Sequence, residues 1–213
     1  MDFNEVIKAK KYGLCSDFFS AIFGRATAVS ELPDGYKKVH SLTMNNDCYY
    51  QITDFFLKGS DTLRFSATIT ATCNVIGSYS GSAGGNNYSL YATTSGGSYL
   101  RYYSGTYNSK MLANKRYNIT ITPTGSHGME IESTWDEVDF TSIKDFCIGA
   151  TSPTVTTSSK FRGTFYGNIT VEDADGLRFK GIPCIRESDD VAGYYDTVSK
   201  TFYEPIGTNP VTA

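Results

Sequence analysis

From residue 36 onward, apolar and polar positions alternate with a period of two. In "TLRFSATITAT", Leu63, Phe65, Ala67, Ile69 and Ala71 alternate with Arg64, Ser66, Thr68, Thr70 and Thr72. That pattern predicts a strand of an antiparallel sheet with one dry face and one wet face. "RYNITITP" repeats it with Tyr117, Ile119 and Ile121 inward. "GMEIEST" puts Met129 and Ile131 in and Glu130 and Glu132 out. "FRGTFYGNITVE" alternates through Phe161, Phe165, Ile169 and Val171, with Gly163 and Gly167 leaving space for facing side chains. About a dozen such segments, separated by Gly, Asn, Asp and Ser turns, predict an all-β, two-sheet antiparallel sandwich.

Residues 2–24 follow a different period. Phe3, Val6, Ile7 and Lys10, then Phe18, Phe19, Ile22 and Phe23, recur at helical spacings of three and four. Gly13 interrupts the pattern, and Ser16 suits the N-cap of a second short helix ending at Gly24. "RATAVSELPDG" follows as a linker, with Pro33 and Asp34-Gly35 marking a domain start. The expected organisation is a helical assembly segment with its linker at 1–30 and the sandwich at 31–213. Phe3, Phe18, Phe19, Ile22 and Phe23 are too apolar to stay solvated, so they are expected to pack on a partner subunit or on copies of this chain in a homo-oligomer.

Composition supports the β assignment: of 213 residues, 14% are aromatic and 19% charged, and 20 are glycine. The net charge of −3 argues against a nucleic-acid partner, which needs a clustered basic face. No apolar run reaches the roughly 18 residues of a membrane span, and "MDFNEVIKAKKYG" lacks the apolar stretch of a secretory signal. The five cysteines are scattered and odd in number, which suits reduced, buried thiols made in a cytoplasm. His40 and His127 lie far apart and near no Cys or carboxylate cluster, so neither a metal nor a cofactor is expected. The sequons at Asn87, Asn118 and Asn168 read as chance matches.

Residues 74–110 are rich in Gly, Ser, Asn and Tyr, with two short strands expected around 87–93 and 98–103. Tyrosine on such a scaffold offers rigid amphipathic area with adaptable hydrogen bonding around it. Tyr88, Tyr91, Tyr99, Tyr102 and Tyr103 are the leading candidates for glycan contact, the sugar's C–H face stacking on the rings. The alternative is that these tyrosines pack inward or on a neighbouring subunit. Alternation lets only about half of them point outward, and adjacent Tyr102 and Tyr103 must diverge.

Three stretches carry a resemblance: "ELPDGYKKVHSL", "FRGTFYGNITVED" and "FKGIPCIRESDDVAGYYDTVSKTFYEP". They resemble a concanavalin-A-like (laminin-G/lectin-like) jelly-roll family common in phages and prophages of gut bacteria. Its opening Leu-Pro-x-Gly-Tyr corresponds to Leu32-Pro33-Asp34-Gly35-Tyr36. Its closing Pro-Cys and Gly-x-Tyr-Asp…Phe-Tyr correspond to Pro183-Cys184, Gly193-Tyr194-Tyr195-Asp196 and Phe202-Tyr203. The chain departs from the family at "EDADG", where a "DNG"-like turn is usual, and at Lys180-Gly181-Ile182 before Pro-Cys.

The resemblance implies a jelly roll whose final hairpin, turning at Asp189-Asp190, seals a sheet edge. It also implies a non-enzymatic virion protein of the tail, baseplate or head fibre, made in the bacterial host cytoplasm. Its partners would be other virion proteins and a host-surface glycan. A purely structural or decoration role is the alternative. A glycan hydrolase is a third reading, because Glu130-Ile131-Glu132 places two carboxylates on one strand face. The third carboxylate of such enzymes would fall on Thr134 or Trp135, so that chemistry lacks a required group. Asp173-x-Asp175-Gly176 reads as a hairpin turn rather than a calcium loop.

Overall fold

The computed structural model describes residues 30–80, 85–93, 98–153 and 160–213. Phe3, Phe18, Phe19, Ile22 and Phe23, and with them the expected helical segment, lie outside these residues. By internal contacts the chain divides into Met1–Glu31 and Leu32–Ala213.

The regular elements of the described residues are strands, as the period-two pattern predicts. In chain order they begin with β1 (Tyr36–Lys38), β2 (Ser41–Asn45), β3 (Cys48–Ile52), β4 (Thr62–Ile69), β5 (Cys73–Ser78) and β6 (Asn87–Ala92). Next come β7 (Ser98–Tyr103), β8 (Gly105–Ser109), β9 (Arg116–Thr122), β10 (Gly125–His127), β11 (Ser133–Thr134) and β12 (Phe146–Ile148). The last six are β13 (Arg162–Asp173), β14 (Gly176–Arg186), β15 (Val191–Asp196), β16 (Thr201–Tyr203), β17 (Ile206–Gly207) and β18 (Val211–Thr212).

They form two antiparallel sheets. The larger runs β11-β10-β9-β4-β13-β14-β15-β16, with β1, β2 and β18 joined to it, and the smaller runs β17-β3-β12-β5-β6-β7-β8. Leu63, Phe65, Ala67 and Ile69 of β4, Tyr117, Ile119 and Ile121 of β9, and Phe165, Ile169 and Val171 of β13 enter one core from the larger sheet. Tyr50, Ile52, Val75, Leu90, Leu100, Phe146 and Ile148 meet them from the smaller sheet. Each of these strands has one face in the core, which is why period two was a sufficient signal.

Two details differ from expectation. Residues 128–132 are no strand: Gly128 takes φ +85 and the segment bends between β10 and β11, leaving Ile131 exposed. Glu130 and Glu132 therefore do not share a strand face. The glycines of β13 also act otherwise than as space for side chains. Gly163 lies hard against the β4 backbone, where an added Cβ would come within 2.9 Å of the Thr68 carbonyl carbon. Gly167 faces open space but holds φ +63, at the point where the ladder between β13 and β4 slips register.

The β13–β14 hairpin is a fork. Its strands pair from Asp173↔Gly176 up to Ile169↔Gly181 and then part. Into the gap runs β1 along β14; the chain turns at Val39-His40 and leaves as β2 along β13. Residue 213 closes the gap, its carbonyl accepting the backbone N–H groups of His40 (2.6 Å) and Ser41 (3.0 Å), while β18 pairs with β2. The motifs at both ends of the domain meet on the outside of this joint. Leu32, Tyr36, Ile182, Cys184, Tyr195 and Phe202 form a separate apolar cluster, with Tyr36 5.1 Å from Tyr195 and 5.2 Å from Phe202. Asp196 is buried and accepts the Lys180, Val198 and Ser199 N–H groups, which fixes the turn into β16.

Candidate functional site

The outward face of β5–β8 carries two cross-strand rows. One is Asn74↔Tyr91↔Tyr99↔Asn108, the other Gly77↔Ser89↔Arg101↔Thr106. On β6 and β7 these positions alternate with the core residues Tyr88, Leu90, Leu100 and Tyr102, so strand parity sends them outward, while on β5 a register shift between Asn74 and Ile76 brings Asn74 and Gly77 to the same face. Tyr91 and Tyr99 are half-buried and stack on each other, with centroids 4.8 Å apart and planes inclined by 22°. Burial and the adjacent Tyr99 push the Tyr91 hydroxyl above its ordinary range, so it stays a neutral donor and acceptor at physiological pH.

The Arg101 guanidinium lies 4.2 Å from the Tyr79 ring centre and 5.2 Å from that of Tyr99, within cation–π range of both. The stretch after β12 forms the remaining wall. Tyr79 donates its backbone N–H to the Thr151 carbonyl (2.6 Å), and the Thr151 hydroxyl donates to Oδ1 of Asn74 (2.9 Å). These residues and Ser89 line a depression of about 30 Å³. It is too small to engulf a ring the size of a pyranose.

The five candidate tyrosines separate. Tyr91 and Tyr99 come together at the depression. Tyr88 and Tyr102 are core residues and cannot touch a surface ligand. Tyr88 donates to the carbonyls of Asp61 (2.9 Å) and Ile121 (3.1 Å), and Tyr102 donates to that of Gly59 (2.8 Å) while stacking on Trp135. Tyrosine suits such buried places because its hydroxyl reaches backbone carbonyls beyond the ring. Tyr103 is 39% exposed, against 1% for Tyr102. The two diverge as adjacent strand residues do; Tyr103 ends β7 with φ +54, and its ring rests on Phe140, which also packs on Tyr102.

Arg101, Asn74, Ser89 and Thr151 were not among the sequence candidates. One signal for Arg101 was available: it is the sole charged residue between Arg64 and Lys110. Thr151 reaches the site through the fold and leaves no local mark.

The other chemistry considered from sequence is distributed differently. Glu130 pairs with Lys115 and accepts the Tyr117 hydroxyl (2.8 Å), which holds its carboxyl below the usual range. Glu132 accepts the Gly128 N–H (2.8 Å) and faces His127. The Asp173–Gly176 segment is the expected hairpin turn, with Oδ1 of Asp173 accepting the Asp175 N–H (3.0 Å). Among the described residues, no three His, Cys, Asp or Glu side chains gather as a metal site. Cys48, Cys73, Cys147 and Cys184 are buried and unbridged; Cys15 lies outside the described residues.

These features define a two-sheet antiparallel β-sandwich with an aromatic, polar-floored surface on its smaller sheet. No protein-family model and no curated protein matches the sequence. Among solved structures, the chain is similar in fold to a candidate carbohydrate-binding protein from Bacteroides ovatus, at a TM-score of 0.56 and 14% identity. The similarity covers 83% of this chain and 60% of that one, so this chain spans less than two thirds of its neighbour.

Proposed function

We propose that this chain is a non-enzymatic glycan-binding module, carried on a bacteriophage particle as a tail, baseplate or head-fibre component. The observation that carries the binding role is the half-buried Tyr91–Tyr99 stack beside a polar depression. Aromatic rings next to Asn, Ser and Thr side chains match the two faces of a sugar, its apolar C–H surface and its hydroxyls. The solved neighbour's description as a candidate carbohydrate-binding protein supports the same reading. The virion setting is supported by the resemblance of the motifs at 32–36 and 183–203. Hydrolysis forms no part of the proposal, because Glu130 and Glu132 are engaged separately, outside the tyrosine face.

A glycan array probed with the purified protein tests the binding role. Tyr99→Ala is expected to weaken binding by about 1–3 kcal/mol with little loss of stability. Tyr102→Ala is expected to do the reverse, costing about 3–5 kcal/mol of stability. Absence of binding to every glycan, or equal destabilisation by both substitutions with adsorption to host cells unchanged, would move first place to the second reading. That reading is a structural or decoration protein, and the largely exposed Ile143 and Val211 favour it as sites for subunit contact. Mass spectrometry of purified particles tests the virion setting separately.

A further inference from the structure

Arg101 is unusual within its own site. Its Nε and Nη1 are shielded from solvent yet make no hydrogen bond. The described residues lining the depression are Asn74, Tyr79, Ser89, Tyr91, Tyr99 and Thr151, and none is a carboxylate. A shielded guanidinium without a counter-charge is costly, because each unmet donor forfeits hydration that nothing replaces. The Tyr79 and Tyr99 rings compensate in part through their π faces, but they accept no conventional hydrogen bond. Natural structures keep such groups rarely, and a binding role is one recognised reason.

We propose that the depression beside Arg101 receives the anionic substituent of an acidic sugar, a carboxylate or a sulfate, while the sugar ring lies on the Tyr91–Tyr99 stack. The inference rests on the glycan-binding reading and names the class of glycan. Size is compatible with the chemistry: a depression of about 30 Å³ admits the oxygen atoms of a small anion and excludes a pyranose ring. The anion would supply both the missing acceptor and the missing counter-charge in a partly desolvated place, where charge-assisted hydrogen bonds are strongest. Asn74, Ser89 and Thr151 add neutral polar groups that do not repel it.

The test compares glucuronic-acid-terminated, N-acetylneuraminic-acid-terminated and sulfated oligosaccharides with their neutral counterparts on one array, followed by calorimetry at low and high salt. The intact chain is expected to prefer at least one acidic class, with affinity falling as salt rises. Arg101→Gln is expected to lower that affinity at least tenfold, the loss of a hydrogen bond to a charged group. Arg101→Lys should recover it in part, since the charge returns without the planar guanidinium. The carboxylated and sulfated arms show which anion is taken. Circular dichroism of each variant confirms that it is folded. Neutral glycans bound through Tyr99, with no salt dependence and no effect of Arg101→Gln, would overturn this inference and leave glycan binding standing. No binding by the intact chain would overturn both.

Discussion

Gly163→Ala and Gly167→Ala separate two reasons for a glycine within one strand. Gly163 pairs with Met44 of β2 on one side and Ile69 of β4 on the other, and holds φ +153. A Cβ there would lie 2.9 Å from the Thr68 carbonyl carbon, 3.0 Å from the Ile69 Cα, and closer still to the Thr68 oxygen. Carbon atoms rest about 3.5–4.0 Å apart, so β4 would have to retreat by about an ångström and carry Ile69 and Ala67 with it. At Gly167 nothing lies within 4 Å, and only the φ of +63 resists a side chain. The expected cost at Gly167 is about 1–2 kcal/mol, for a left-handed backbone alone. At Gly163 an overpacking cost of about 1–3 kcal/mol adds to about 1–3 kcal/mol for a backbone region open essentially to glycine alone, for about 2–6 kcal/mol in all. Urea unfolding followed by the fluorescence of Trp135, the one tryptophan and a buried one, reads both values by linear extrapolation. Equal losses in the two variants, or a Gly163→Ala protein as stable as the parent, would refute the close approach of β13 to β4.

Burial pushes Cys48 and Cys147 up to about 12 and Cys73 and Cys184 up to about 11, from an ordinary 9.0. The unfolded chain therefore ionises first. The stability held by the protonated thiols is complete below about pH 9 and is lost as pH rises toward 11–12. Buried Tyr50, Tyr88 and Tyr194 act in the same direction. The urea midpoint should fall between about pH 8 and pH 10.5, and a flat profile would contradict it; all five cysteines should alkylate once the protein is denatured. Deleting residues 1–28 should leave a cooperatively folding sandwich and lower the oligomer mass seen by light scattering. A deletion that unfolds residues 36–213 would place the segment in the core instead.

The strands most legible in the sequence were β4, β9 and β13, because each buries every second side chain over five or more residues. At 128–132 the same alternation spans too few residues to outweigh Gly128, and the glutamates found Lys115 and His127 instead. The tyrosines of β6 and β7 posed a problem of parity. Both faces carry aromatic rings, and a phenol is at home in the core or at the surface, so period two could halve the set without choosing the half. Arg101 could have chosen it: a lone cation marks the wet face, and Tyr99 lies two residues before it. The positive φ at Tyr103 and the approach of Tyr79 and Thr151 depend on loop geometry, which local sequence does not encode. The terminal motifs were legible as motifs, but their meeting around Tyr36 was visible only in the fold.

The fork in the β13–β14 hairpin has a consequence in time. Its gap is filled by β1 and β2 and latched by residues 211–213, so the pairings Val211↔Thr43 and Thr212↔Leu42 join opposite ends of the sandwich sequence. On a ribosome, β1 and β2 emerge long before β13 or β18 exists. Contacts so distant in sequence cannot nucleate folding quickly, since the loop must close before they contribute. Until residues 211–213 are free, the β2 edge stands open and can pair with the wrong strand, including the same strand of a neighbouring nascent chain. The sandwich can therefore close only once residues 211–213 have left the ribosomal tunnel.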